Sequence, residues 1–222
     1  LDFNKIVSIK DKCVGIDQGT FLIAEIGLNH NGSMAMAKKL IDAAIDAGAD
    51  AVKLQSYKTK YRVAKHGKTS RYVEKVLGVE ETDYEMLKKY ELTKEQTIEL
   101  FDYAKERTII FSAPFDLESA DELAELGVDC YKIASFDLVN LPLIRKVAST
   151  QKPIIISTGM SYLSEVQDAL MEVAKCGNPN VILMQCTSSY PCPPETMNIK
   201  AIDTMKQAFN GLPVGISDHV IG

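Results

Sequence analysis

No run of about 18 apolar residues occurs anywhere in the chain, so no membrane-spanning helix is expected. A basic run is missing too. The formal net charge is −5, and no Lys/Arg cluster offers the footprint a nucleic acid needs. The first residues, Leu1-Asp2-Phe3-Asn4-Lys5, lack the charged-then-apolar layout of a secretory signal. They also lack an initiator Met, which leads us to expect trimming or processing at that end. Cysteine is sparse: Cys13, Cys130, Cys176, Cys186 and Cys192 are scattered, odd in number and without metal-ligand spacing. Cys130 and Cys186 lie in apolar strand-like runs, where a free thiol behaves as a small hydrophobe. That usage fits a reducing compartment, hence a cytoplasmic protein. The first turn, Ile26-Gly27-Leu28-Asn29-His30-Asn31-Gly32, does not match the dinucleotide fingerprint, and there is no Walker motif.

What is present is an ordinary globular composition: 222 residues, 46% hydrophobic and 25% charged. Parallel α/β barrels usually run to about 250 residues as one domain, so the chain reads as one domain, complete or cut short. From Phe21 onward, β-branched runs alternate with amphipathic stretches. Strands are expected at Phe21–Gly27, Ala51–Gln55, Thr108–Pro114, Cys130–Ser135, Pro153–Thr158, Val181–Cys186 and Pro213–His219. Several are nearly continuous apolar runs, as strands buried on both faces must be. Ser33, Asp116 and Ser161 are candidate helix caps, Thr93-Lys94-Glu95-Gln96 reads as a capping box, and Gly48, Gly127 and Gly177 as helix stops.

Strict βαβα alternation implies right-handed crossovers and a parallel sheet. A doubly wound sheet and a closed (β/α)8 TIM barrel both satisfy it; the unmatched dinucleotide fingerprint favours the barrel. Residues 1–20 are expected to form a hairpin, Val7–Ile9 with Val14–Ile16, plugging the barrel floor. Residues 21–222 then make an incomplete catalytic barrel of seven strands, since the chain stops just past the seventh. Residues 56–92 form a long, polar, Tyr- and Lys-rich connection, expected to be a lid or binding loop.

The informative feature is a set of charged and hydroxyl residues within otherwise apolar strands. Lys53 and Gln55 are two apart and share a face. Lys132 sits between Tyr131 and Ile133, with Ser135 at the strand end. Glu25, Ser157, and the pair Ser217 and His219 lie near the ends of the first, fifth and seventh strands. Barrel enzymes hold their catalytic groups at those C-terminal ends. Burying an unpaired ammonium or carboxylate costs on the order of several kcal/mol, so these groups need partners. A bound anion is the simplest partner for Lys53 and Lys132, with Ser135, Ser157 and Ser217 completing a phosphate shell. A structural network with Glu25 and Asp137 is the alternative. A Schiff-base lysine is a third reading that the residues alone leave open.

Seven segments occur in one order: Ala24-Glu25-Ile26-Gly27-Leu28-Asn29-His30-Asn31-Gly32, Ala51-Val52-Lys53-Leu54-Gln55, Ser112-Ala113-Pro114-Phe115, Tyr131-Lys132-Ile133-Ala134-Ser135, Ser157-Thr158-Gly159-Met160, Cys186-Thr187-Ser188-Ser189-Tyr190-Pro191 and Gly215-Ile216-Ser217-Asp218-His219. Together they resemble the sialic acid synthase family, with its relatives making legionaminic and pseudaminic acids. The resemblance implies a metal-dependent condensation of phosphoenolpyruvate (PEP) with an N-acetylated amino-sugar aldehyde, without a Schiff base. It further implies that Lys53, Lys132, Ser135, Ser157, Ser188 and Ser217 hold PEP, with Gln55 in support. His219 would be one of two histidine ligands for Mn2+ or Mg2+; Glu25 and Asp137 would handle protons or orient water; Tyr190 would contact the sugar.

The departures from the family pattern carry equal weight. The second metal histidine belongs to an eighth strand missing here. So is the small C-terminal antifreeze-like domain, through which a full-length homodimer is expected to form. The chain alone is therefore expected to bind metal poorly. Ala113 stands where many members carry threonine, and Ser188 where some carry asparagine. Ala134-Ser135-Phe136-Asp137 looks closer to the pseudaminic branch than to the Gly-Ser-Gly-Glu form typical of neuraminate synthases. His30 is expected to buttress its turn, and His66, among Lys65, Lys68 and Arg71, to be solvated. Two competing readings stand beside this one: a 3-deoxy-keto-acid synthase using PEP and a phosphorylated aldose, and a non-catalytic fragment of the fold.

Overall fold

The computed structural model describes residues 2–65 and 82–221, and the chain divides into two compact units. The first unit comprises Leu1–Leu22 with Gly127–Gly222, the second Ile23–Leu126. His66, Lys68 and Arg71 lie outside the described residues.

The first unit opens with an antiparallel hairpin, β1 (Ile6–Ile9) and β2 (Lys12–Gly15), close to the expected span. Val7 and Ile9 point to one side, as the period of two requires, and both are fully buried. The preceding Asn4 ties the hairpin to the chain entering a later strand. Its N–H donates to the Pro179 carbonyl at 2.9 Å, and its side-chain amide to Asn180 at 2.8 Å.

The second unit runs β3 (Ile23–Gly27), α1 (Met34–Asp46), β4 (Ala51–Ser56), α2 (Thr59–Arg62), α3 (Asp83–Tyr90), α4 (Lys94–Ala104), β5 (Ile109–Pro114) and α5 (Leu117–Leu126). β3, β4 and β5 are parallel neighbours, with Glu25 beside Lys53 and Gln55 beside Ala113. Every residue of β5 is buried, which explains why its run is apolar at every position but Ser112. Helix ends follow the sequence punctuation. Ser33 accepts from the Met36 N–H, Thr93 and Gln96 form a capping box, and Asp116 accepts from the Ser119 N–H at 2.7 Å. The expectation of a continuous loop over 56–92 is corrected: α2 and α3 lie within it. Thr82 and Glu85 cap α3 reciprocally, and its Leu87 is buried, so one turn of apolar anchor suffices to hold it.

The first unit resumes with β6 (Tyr131–Ile133), α6 (Leu141–Ala148), β7 (Ile154–Ser157), α7 (Leu163–Lys175), β8 (Val181–Cys186), α8 (Ala201–Ala208) and β9 (Val214–Ser217). β6 to β9 are parallel in chain order. The register sets Lys132 beside Ile155, Ser157 beside Met184 and Cys186 beside Ser217. Because strand side chains alternate, these share one face. Ile154, Ile156 and Leu183 occupy the other, fully buried, each contributing roughly 1.5–3 kcal/mol.

Two details differ from expectation. Ser161 does not cap α7: the Tyr162 N–H is met by the Glu165 carboxylate at 2.8 Å, while the Ser161 hydroxyl donates to the Gly159 carbonyl. β9 ends at Ser217, so His219 lies beyond the strand rather than on its face. No described helix is long and apolar enough to cross a membrane.

Candidate active site

In the first unit, polar side chains gather at the C-terminal ends of β6, β7, β8 and β9. Lys132 is only 6% exposed. Its ammonium donates to the Ile133 carbonyl at 2.9 Å and to the Ser157 hydroxyl at the end of β7. Ser135 opens a short 3-10 turn, Ser135–Asp137, and its hydroxyl accepts the Gly159 N–H at 3.1 Å. Ser188 closes on the same glycine. A Cβ on Gly159 would lie 2.6 Å from the Ser188 hydroxyl oxygen and 2.8 Å from that of Ser135. Four of the six expected PEP contacts, Lys132, Ser135, Ser157 and Ser188, are thus gathered around the Ser157–Gly159 turn. An ammonium amid reorientable hydroxyls is a shell suited to phosphate or carboxylate oxygens.

His219 is held by the segment that follows β8. Its Nδ1 lies 2.8 Å from the Thr187 carbonyl, which can only accept, so Nδ1 carries the proton. Nε2 lies 3.3 Å from the Ser217 hydroxyl. The Tyr190 ring covers the imidazole at 4.1 Å between centroids, tilted by 31°. The His219 carbonyl also accepts the Cys192 N–H at 2.8 Å. Three of the expected residues, Ser217, Tyr190 and His219, therefore form one cluster. Asp137 is buried on the 3-10 turn, with the Asn140 amide 3.4 Å from Oδ1. Among the described residues, no group of three or more His, Cys, Asp or Glu is placed to hold a metal.

The second unit brings together Glu25, Lys53 and Gln55. Lys53, with 12% of its side chain exposed, forms an ion pair with the half-exposed Glu25 carboxylate beside it on β3. Asp137 belongs to the other unit. Two residues on, the Gln55 Oε1 lies 3.3 Å from the Arg62 guanidinium, which itself stacks on Tyr57 and Phe115. Ala113 lies in β5 next to Gln55, and beside it the Ser112 hydroxyl bonds Ser56 at 2.8 Å. His30 is fully buried and accepts the Gly32 N–H at 3.0 Å, as a turn buttress should. Burial holds its pKa below the usual imidazole range, favouring the neutral ring. Burial likewise pushes the Cys130 thiol up, in keeping with a core role.

Sequence reasoning missed three contributors. Gly159 sits in a quoted motif but has no side chain to mark a role, Arg62 lies outside every motif, and Thr187 acts through its backbone carbonyl, which any residue could supply.

A family model described as the NeuB family matches residues 40–222. The N,N'-diacetyllegionaminic acid synthase of Campylobacter jejuni serotype O:2 is 45% identical over 206 residues, 91% of this chain and 61% of that protein. The pseudaminic acid synthase of Helicobacter pylori is 36% identical over 202 residues, 90% of this chain and 59% of that one. Among solved structures, the N-acetylneuraminic acid synthetase of Leptospira borgpetersenii serovar Hardjo-bovis superposes with a TM-score of 0.85 at 31% identity. It covers 99% of this chain and 72% of that chain. The chain spans about 60% of the length of the curated relatives it matches. The fold is that of the sialic acid synthase (β/α)8 barrels, of which seven parallel strands and an N-terminal hairpin are seen here. Strand-end motifs, fold and family match agree: the chain belongs to the NeuB family, that of the sialic acid synthases.

Proposed function

We propose that the protein bearing this chain condenses PEP with an N-acetylated amino-sugar aldehyde, giving a nonulosonic acid and inorganic phosphate. The observation that carries this reading is the Lys132, Ser135, Ser157 and Ser188 cluster around Gly159, in a chain of the NeuB family. In the proposed reaction, C3 of PEP attacks the aldehyde carbon and the aldehyde oxygen takes up a proton. Water adds to the cation left at C2, and the C2–O bond to phosphate then breaks, leaving a 2-keto acid. Lys132 and the hydroxyls of Ser135, Ser157, Ser188 and Ser217 are assigned to the phosphate and carboxylate, whose charge they balance and orient. Lys53 is assigned to a substrate anion in the second unit, and Gln55 to a supporting role beside it. Asp137 and Glu25 are assigned to proton handling or to orienting water, and Tyr190 to the sugar.

The Thr187 carbonyl holds His219 Nδ1, the second-sphere pattern of an imidazole that binds a metal through Nε2. His219 therefore fits as one ligand for Mn2+ or Mg2+, although the described residues supply no cluster of three. When bound, such an ion supplies Lewis-acid polarisation of the aldehyde oxygen. The hairpin as a cap on the barrel floor, a homodimer at full length and a cytoplasmic setting complete the proposal.

Phosphate release tests it. Full-length protein with Mn2+ or Mg2+ is incubated with PEP and, separately, N-acetylmannosamine, 6-deoxy diacetamido hexoses and phosphorylated aldoses. Release with an acetamido sugar is expected. Release only with phosphorylated aldoses would favour the 3-deoxy-keto-acid reading instead.

A further inference from the structure

The second unit contains an arginine outside all seven motifs. Arg62, the last residue of α2, places its guanidinium 4.6 Å from the Tyr57 ring centre and 3.9 Å from that of Phe115. The two rings meet edge to face, 6.3 Å apart at 79°, and so form a corner. That corner is rigid: both rings are buried, and the Tyr57 hydroxyl is tied to the Leu87 carbonyl at 2.8 Å. A planar cation stacked on aromatic faces loses little further freedom when it forms a hydrogen bond.

Arg62 directs one N–H at the Gln55 side chain, 3.3 Å away. A guanidinium has donors and no acceptor, so the amide atom facing it must be the oxygen. The Gln55 NH2 is thereby turned the other way. It faces the bare backbone of Gly27, where a Cβ would lie 3.3 Å from Gln55 Nε2 and 2.9 Å from Glu25 Oε1. Above Gly27, then, an amide that donates stands beside a carboxylate that accepts. Gly27 has φ +50, a left-handed conformation that glycine adopts without strain, and any side chain there would fill this space. Adjacent donor and acceptor groups complement a polyhydroxylated ligand, whose hydroxyls both give and receive hydrogen bonds.

We propose that Arg62 is a positioning residue for the aldose: by holding the Gln55 carbonyl oxygen, it fixes the amide with NH2 toward the sugar. This rests on the condensation proposed above. Without Arg62, the Gln55 amide can rotate and present its oxygen beside the Glu25 carboxylate, repelling the hydroxyl lone pairs it should bind.

The test compares full-length wild type with Arg62→Met, which keeps an apolar chain in the aromatic corner, and with Arg62→Lys. Loss of one orienting hydrogen bond should raise KM for the aldose about five- to tenfold, with KM for PEP unchanged. Arg62→Lys, still a donor, should recover part of that loss. In a Gln55→Met background, Arg62→Met should add nothing, because the group it orients is gone. An unchanged aldose KM, an equal rise for both substrates, or additive effects would overturn the inference. Crystal structures of wild type and Arg62→Met give a readout that needs no turnover. Gln55 should hold one amide orientation in the wild type and lose it in the variant; the same single conformer in both would overturn the inference. Absence of phosphate release by the wild type with every aldose would count against the reaction alone, leaving the conformer comparison to decide the role of Arg62.

Discussion

Gly159 illustrates how much a missing side chain can do at the scale of one residue. Its N–H holds the Ser135 hydroxyl, and its empty Cβ position admits the hydroxyls of Ser135 and Ser188 to within 2.8 Å of that point. Both contacts are shorter than real Cβ atoms tolerate, so a methyl group must displace both serines. Gly159→Ala in the full-length protein is expected to weaken PEP binding about tenfold while shifting the melting temperature by only a few degrees. Calorimetric titration beside a thermal melt checks this. Wild-type affinity in a folded variant would show that the two serines do not touch PEP. The lysines were legible because an ammonium buried in an apolar strand run demands a partner. Gly159 was not, because nothing in Ser157-Thr158-Gly159-Met160 distinguishes a crowded glycine from a turn glycine until neighbouring strands are placed.

Elements position these residues through their ends. The existence and order of the parallel strands were legible from their apolar runs, and β8 falls on Val181–Cys186 as expected, while β3, β6, β7 and β9 are shorter than expected. α2 and α3 escaped notice because they are short and mostly polar, with one buried residue each, Thr59 and Leu87. The Thr82-Asp83-Tyr84-Glu85 capping box was the signal that could have revealed α3. That helix bears on the first turn of the second unit. The Lys89 carbonyl at its end would lie 2.8 Å from a Cβ on Gly32, which has φ +75. Gly32→Ala combines left-handed strain with a backbone clash, and about 2 kcal/mol of destabilisation is expected. Denaturant unfolding of the two proteins at matched m-values measures it. A loss below a few tenths of a kcal/mol would mean that turn and helix separate without cost.

At the scale of the molecule, alternation of strand and helix implied a parallel α/β fold but left a doubly wound sheet and a barrel both open. The likeness to a sialic acid synthase structure, TM-score 0.85, decides for the barrel. Residues of the proposed chemistry are split between the two units, with Lys132, Ser135, Ser157, Ser188, Ser217 and His219 in one and Glu25, Lys53 and Gln55 in the other. The chain is 45% identical to the legionaminic acid synthase of C. jejuni and 36% identical to the pseudaminic acid synthase of H. pylori. The proposed condensation depends on the buried Lys132 ammonium of β6 meeting the anionic substrate. Its most direct test is calorimetric titration of PEP into full-length wild type and Lys132→Met, both shown to be folded. The account predicts at least about a hundredfold loss of affinity in the variant; wild-type affinity in Lys132→Met would contradict it.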